Sequence, residues 1–172
     1  MSTNKKSNLT TGQKAWRLIL CIIAPLVVGG VSALLTMDAM KQFGSMKQPP
    51  LSPPAILFPI AWTILYVLMG LASYFICMAG ANGGKKEKEL AKSALTIYGI
   101  QLVFNFFWSI IFFNLKWYWP ALAWLVIMLI LVIILTVKAK KLSNPAFFML
   151  IPYVLWCIFA TYLNIGIAIL AS

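Results

Sequence analysis

Three sets of residues carry the chemistry available to this chain. Gln101, Asn105, Trp108 and Phe112 recur at helical spacing and fall within about 60° of one another at roughly 100° per residue. Pro59, Trp62, Tyr66, Gly70 and Ser73 form a second stripe, and Tyr153, Trp156, Ala160 and Asn164 a third. Each stripe mixes an amide or hydroxyl with Trp or Tyr. An amide turned toward hydrocarbon would leave its donors and acceptors unpaired, so Gln101, Asn105 and Asn164 are expected to face inward. Two arrangements satisfy that demand. In one, the amides bond across helices and the aromatics fill a packed bundle. In the other, the aromatic faces line a pocket for a flat, mostly apolar ligand, with a few polar anchors. The residues alone leave both open.

The missing residue types narrow the chemistry. There is no His, and the acids are Asp38, Glu87 and Glu89. A Ser-His-Asp triad, a His-containing metal site and an intramembrane carboxylate relay are excluded or nearly so. No metal and no resident cofactor are expected, and no His is available as an axial ligand, which argues against a haem-holding role. Cys21, Cys77 and Cys157 all fall in apolar stretches without a CxxC spacing. They read as packing residues rather than a disulfide framework or ligand set.

The elements that position the stripes follow from composition. The 172 residues are 62% hydrophobic and 10% charged, with a mean hydropathy of +0.92. A soluble chain of this size has too much surface to hide that much apolar side chain. The sequence therefore predicts an all-α integral membrane protein, a five-transmembrane-helix bundle in a single domain over 1–172. Five charge-free apolar stretches, about 18–37, 56–80, 93–114, 119–137 and 146–171, are long enough to cross a ~30 Å hydrocarbon core. The alternating ten-residue segments of a β-barrel are absent. The first stretch follows Lys5, Lys6, Lys14 and Arg17 like a signal peptide, but it is too long and has no cleavage site, so it reads as a retained helix. Pro25, Pro59 and Pro152 lie inside segments as possible kinks. Gly29 and Ala33 are a possible close-packing pair, and Trp16, Trp117, Tyr118 and Trp119 suit an interfacial belt.

The net charge of +11 is distributed in runs between apolar stretches, which suits anionic lipid headgroups rather than nucleic acid. Lys5, Lys6, Lys14, Arg17, Lys85, Lys86, Lys88, Lys92, Lys138, Lys140 and Lys141 fall on one side of the predicted topology. Lys41, Lys47 and Lys116 fall on the other. The positive-inside rule then puts the N-terminus in the cytoplasm and the C-terminus outside. The loop at 38–55 faces outward and is stiffened by Pro49, Pro50, Pro53 and Pro54.

The motifs themselves resemble a known family. Pro49-Pro-Leu-Ser-Pro-Pro54 followed by Phe58-Pro-Ile-Ala-Trp-Thr-Ile-Leu-Tyr-Val-Leu-Met-Gly70 is similar to the second-helix signature of the TspO/MBR family, the tryptophan-rich sensory proteins and translocator proteins. Gln101-Leu-Val-Phe-Asn-Phe-Phe-Trp-Ser-Ile-Ile-Phe-Phe113 and Pro152-Tyr-Val-Leu-Trp-Cys-Ile-Phe-Ala-Thr-Tyr-Leu-Asn164 resemble its third- and fifth-helix motifs. The resemblance implies a five-helix bundle, often a homodimer, in a bacterial cell membrane. It also implies a pocket beneath the first loop for porphyrins such as protoporphyrin IX. By motif match the ligand-binding residues are Trp62, Tyr66, Asn105, Trp108, Tyr153, Trp156 and Asn164. Leu51 and Ile56 stand where the family often carries Trp, and no basic residue follows Tyr162 as sterol recognition would need.

Three functions follow as expectations. The first is a membrane sensor that binds porphyrins and other flat apolar ligands, with Lys41 or Lys47 near the mouth. The second is light-dependent porphyrin degradation, in which Trp62, Trp108 and Trp156 would be the oxidisable groups. The third is translocation of a porphyrin or sterol, for which the chain lacks an intramembrane carboxylate and an inverted repeat.

Overall fold

A computed structural model describes residues 9–44, 48–54 and 56–171. Five long helices follow in order: α1 (Thr11–Gly44), α2 (Leu57–Asn82), α3 (Lys85–Ser109), α4 (Tyr118–Leu142) and α5 (Asn144–Leu170). No strand occurs among the described residues. All five are long and apolar enough to cross a membrane. At 1.5 Å per residue, 34 residues make α1 about 51 Å long, well beyond the hydrocarbon core. The helices run past the apolar stretches, and α1 takes in residues 38–44 of the segment expected as the first loop.

Local chemistry sets the ends. Thr10 and Gln13 form a reciprocal capping box: the Thr10 N–H donates to Gln13 Oε1 at 3.0 Å and the Gln13 N–H to Thr10 Oγ1 at 3.2 Å. Ser143 Oγ accepts the Ala146 N–H at the start of α5, with Pro145 in the first turn. Pro59 lies in the first turn of α2, where its missing N–H has no intrahelical acceptor. It therefore frees no carbonyl, and the kink positions inside helices reduce to Pro25 and Pro152. Hydroxyls in the apolar spans bond back to their own helices, as Thr36 does to Ser32 O, Thr136 to Val132 O and Thr161 to Cys157 O.

Lateral packing places α2 against α1, α3 and α5, while α4 lies against α3 and α5. The order around the bundle is α1, α2, α5, α4, α3, closed by contacts of α1 with the far end of α3. Among the described residues, the backbone of α1 does not come within 8 Å, Cα to Cα, of α4 or α5. It is also the least enclosed helix: 17% of its apolar window is buried inside the bundle, against 33–44% for the other four. Lipid is as apolar as a Leu side chain, so cohesion rests on close packing and inter-helix hydrogen bonds. The core is accordingly centred on α2–α5, with Met69, Met128, Leu135, Leu150 and Tyr153 fully enclosed.

α3 does not end as a simple α-helix. Ile110–Asn114 continues it as one π-helical turn, closed by the Leu115 N–H to Ile110 O bond at 3.1 Å. The wider turn rotates the following side chains relative to an unbroken α-helix. It seats Phe112 and Phe113 in the core and lets the Asn114 side chain donate to Leu35 O of α1 at 2.9 Å. The free cysteines are Cys157, buried in the core, and Cys21 and Cys77, each half-buried.

Candidate functional site

Four helices enclose an aromatic cavity of about 210 Å³. Its walls carry Trp62 and Tyr66 from α2, Trp108 and Ser109 from α3, Phe113 from the π turn and Trp156 from α5. α1 supplies the opposite wall from Leu26 to Met40, including Gly29, Ser32 and Thr36. The stripes do converge, because α2 lies between α1 and α5 while α3 closes the far side.

Trp62 is the hub. Its ring stacks on Tyr66 with centroids 5.5 Å apart and an interplanar angle of 27°. It meets Trp108 at 6.4 Å, Tyr153 at 6.3 Å and Trp156 at 6.2 Å, the last two nearly edge-on. These separations lie within the range where aromatic pairs attract beyond simple area burial. Phe58 meets Trp156 edge-on at 6.1 Å, and Trp108 stacks on Phe112 at 5.1 Å. Trp62 and Trp156 are half-buried, so part of each ring is available to the cavity.

The amides sit behind this wall rather than in it. Tyr66 Oη donates to Asn105 Oδ1 at 2.6 Å, Asn105 Nδ2 donates to Tyr153 Oη at 3.1 Å, and Tyr153 Oη donates to Gln101 Oε1 at 2.7 Å. The chain joins α2, α3 and α5 through groups that are almost wholly buried. Asn164 is engaged on both sides: Trp108 Nε1 donates to its Oδ1 at 3.3 Å, and its Nδ2 donates to Tyr118 O at 2.8 Å. Of the seven ligand-binding residues expected from the motifs, Trp62, Tyr66, Trp108 and Trp156 line the cavity; Asn105, Tyr153 and Asn164 hold those rings in place.

Sequence reasoning missed the α1 wall, because its hydroxyls, Ser32 and Thr36, stand among small or apolar residues with no amide or aromatic to mark a stripe. One signal was present. Gly29, noted as a packing residue, lies directly beneath the Tyr66 ring, and a side chain there would overlap it. Ser32 also lines the cavity, and its buried hydroxyl has no hydrogen-bond partner. Trp124 is a further omission: it stacks on Phe104 at 4.4 Å and donates to Phe104 O at 2.8 Å, away from the cavity.

The first loop lies over α5. Pro49 packs against Gly166, where a side chain would overlap the Pro ring, and Tyr162 Oη donates to Pro50 O at 2.7 Å. Leu51 takes a positive φ of 64° and is 83% exposed; neither it nor the exposed Ile56 lines the cavity. Lys41 pairs with Asp38 at 3.2 Å outside the cavity. Lys47 lies outside the described residues.

The fold and site define an integral membrane protein of five helices, built around an inter-helix aromatic cavity with few polar groups. Comparison with known proteins agrees. The model of the TspO/MBR family matches residues 21–170. The chain is 32% identical over 151 residues to the Tryptophan-rich protein TspO of Chlorobaculum tepidum, covering 87% of this chain and 92% of that one. It is 33% identical over 153 residues to a Tryptophan-rich sensory protein of Cereibacter sphaeroides, covering 87% and 88%. It is 31% identical over 131 residues to the Translocator protein of Ovis aries, covering 74% and 73%. The chain belongs to the TspO/MBR family.

Proposed function

We propose that the protein is a membrane sensor or translocator that binds flat, apolar tetrapyrroles of the protoporphyrin class between α1, α2, α3 and α5. The observation that carries this reading is Trp62, surrounded by four aromatic rings at 5.5–6.4 Å and facing a cavity whose other wall is mostly apolar, with Ser32 and Thr36 as its polar residues. A planar π-system is the ligand shape such faces bind best. The names of its relatives, sensory protein and translocator protein, support the same breadth.

The cavity volume adds a mechanism. At 210 Å³ it is below the roughly 300–1,000 Å³ of pockets that hold drug-sized ligands. A tetrapyrrole therefore needs the wall to open, and α1 is the wall least tied to the bundle. Outward movement of α1 would widen the cavity without breaking the Tyr66–Asn105–Tyr153–Gln101 chain, which joins the other helices. Binding would then be coupled to the position of one helix, as sensing requires. The eleven cationic residues at one end of the topology support an N-terminus in the cytoplasm and a C-terminus outside, in a bacterial cell membrane.

Titration of the detergent-purified protein with protoporphyrin IX tests the reading through tryptophan fluorescence. Saturable quenching is expected, weakened at least ten-fold in Trp62→Ala. Equal, non-saturating quenching in both proteins overturns it. Light-dependent porphyrin oxidation is a second reading, favoured by the direct ring contacts of Trp62 with Trp108 and Trp156. Loss of the porphyrin spectrum on illumination no faster with the protein than in empty detergent micelles eliminates it.

A further inference from the structure

A second cleft, separate from the aromatic cavity, opens between α1, α2 and α3 at the end of the bundle that carries the N-terminus. It encloses about 800 Å³ and is lined by Arg17 of α1, Cys77 and Gly80 of α2, and Lys88, Lys92 and Leu95 of α3. We propose that this cleft is a specific site for the phosphate headgroup of an anionic phospholipid.

Three features point to that chemistry. The first is an excess of positive charge: three cations converge from two helices to line the cleft, whereas Glu87 packs on Gly83 at its edge and neither it nor Glu89 is part of the lining. The ion pair found among the described residues, Lys41–Asp38, belongs to another helix end. The second is Arg17. Its side chain is half-buried and turned to α2, where its hydrogen-bond partner among the described residues is the Cys77 sulfur, 3.7 Å from Nη1. A thiol is a weak acceptor, and a guanidinium has five N–H donors in a planar fork that matches two phosphate oxygens. A cation used only to signal topology would extend into water or headgroups instead. The third is the composition of the walls. Cys77, Gly80, Ala81, Ala91 and Leu95 are small or apolar, so the glycerol and first acyl carbons can follow the phosphate into the same cleft. Lys88 and Lys92, one helical turn apart on α3, stand at the exposed rim and complete the electrostatic enclosure.

The full chain in detergent, without added lipid, provides the test. Its apparent melting temperature is followed against a short-chain phosphatidylglycerol, a phosphatidylcholine of the same chain length, and inorganic phosphate. Phosphatidylglycerol should stabilise saturably and the other two should not. Arg17→Gln should weaken the effect about five-fold or more, and Lys88→Gln with Lys92→Gln about five-fold per charge removed. The double change Lys140→Gln, Lys141→Gln removes the same two charges from the α4–α5 end outside the cleft and should leave the effect unchanged. Because the Lys88/Lys92 pair is exposed, it reads the same site if Arg17→Gln fails to fold. Loss in the α4–α5 variant equal to that in the Lys88/Lys92 variant overturns the proposal, since the attraction would then be general. Equal stabilisation by phosphatidylcholine also overturns it. Equal stabilisation by inorganic phosphate overturns the lipid as ligand, leaving a soluble anion. None of these measurements involves the aromatic cavity or its ligand.

Discussion

Asn105 should be worth more to the bundle than any other amide in it, and the hydrogen bonds give the size of the effect. Its side chain accepts from Tyr66 at 2.6 Å and donates to Tyr153 at 3.1 Å, all within the buried interior. Measured inter-helix hydrogen bonds in membrane proteins average about 0.6 kcal/mol, with a maximum near 1.7 kcal/mol. Asn105→Ala breaks two and orphans the Tyr66 phenol, whereas the Tyr153 phenol keeps Gln101 as acceptor. The expected loss is about 1–3 kcal/mol. Tyr66→Phe breaks one bond and should cost about 0.6–1.7 kcal/mol. In the double variant the shared bond is lost only once, so the two costs should fall short of additivity by about 0.6–1.7 kcal/mol. Equilibrium unfolding in mixed micelles with increasing dodecyl sulfate, read by tryptophan fluorescence, measures all three. Asn105→Ala combined with Tyr162→Phe, whose phenol bonds to the first loop, serves as the additive control. A Tyr66–Asn105 coupling below about 0.3 kcal/mol, the scatter expected of unconnected sites, would refute the inference that this bond ties α2 to α3.

Other perturbations separate wall from scaffold. Gly29→Ala places a methyl where the Tyr66 ring lies; it should cost about 1–3 kcal/mol of overpacking and weaken porphyrin quenching in the same titration. Asn164→Ala removes the bonds to Trp108 and Tyr118 and should cost about 1–2 kcal/mol, read by the same unfolding experiment. Tyr162→Phe should leave global stability within about 1 kcal/mol, because its bond is peripheral. It should nevertheless speed proteolytic cleavage in the segment 48–54, since the loop would lose its phenol bond to α5 and keep the packing of Pro49 on Gly166.

The five helices were legible because the signal is local. Each apolar stretch is charge-free and long enough to span, and backbone groups in lipid have no alternative to pairing within the helix. The inward faces were legible for a related reason. Gln101, Asn105 and Asn164 pay too much in hydrocarbon to point anywhere but inward, and each is at most 1% exposed. Less visible was the early position of Pro59 in α2, where it breaks nothing. The π turn after Ser109 was not legible either. It depends on where Phe112, Phe113 and Asn114 find room against their neighbours, which no property of that segment states by itself.

The roles of the inward residues lay further out of reach. Sequence alone determined a membrane-embedded five-helix chain with aromatic and amide stripes directed to its interior. Only the tertiary structure decided which of those residues face a cavity and which are used up by one another. The Tyr66–Asn105 and Trp108–Asn164 bonds join residues 39 and 56 positions apart, and the wall opposite Trp62 comes from unstriped small residues of α1. Helix formation follows from each segment's own backbone and solvent. Partner choice follows from which helices lie side by side, and in lipid that is settled by packing and hydrogen bonding across the bundle rather than by hydropathy along the chain.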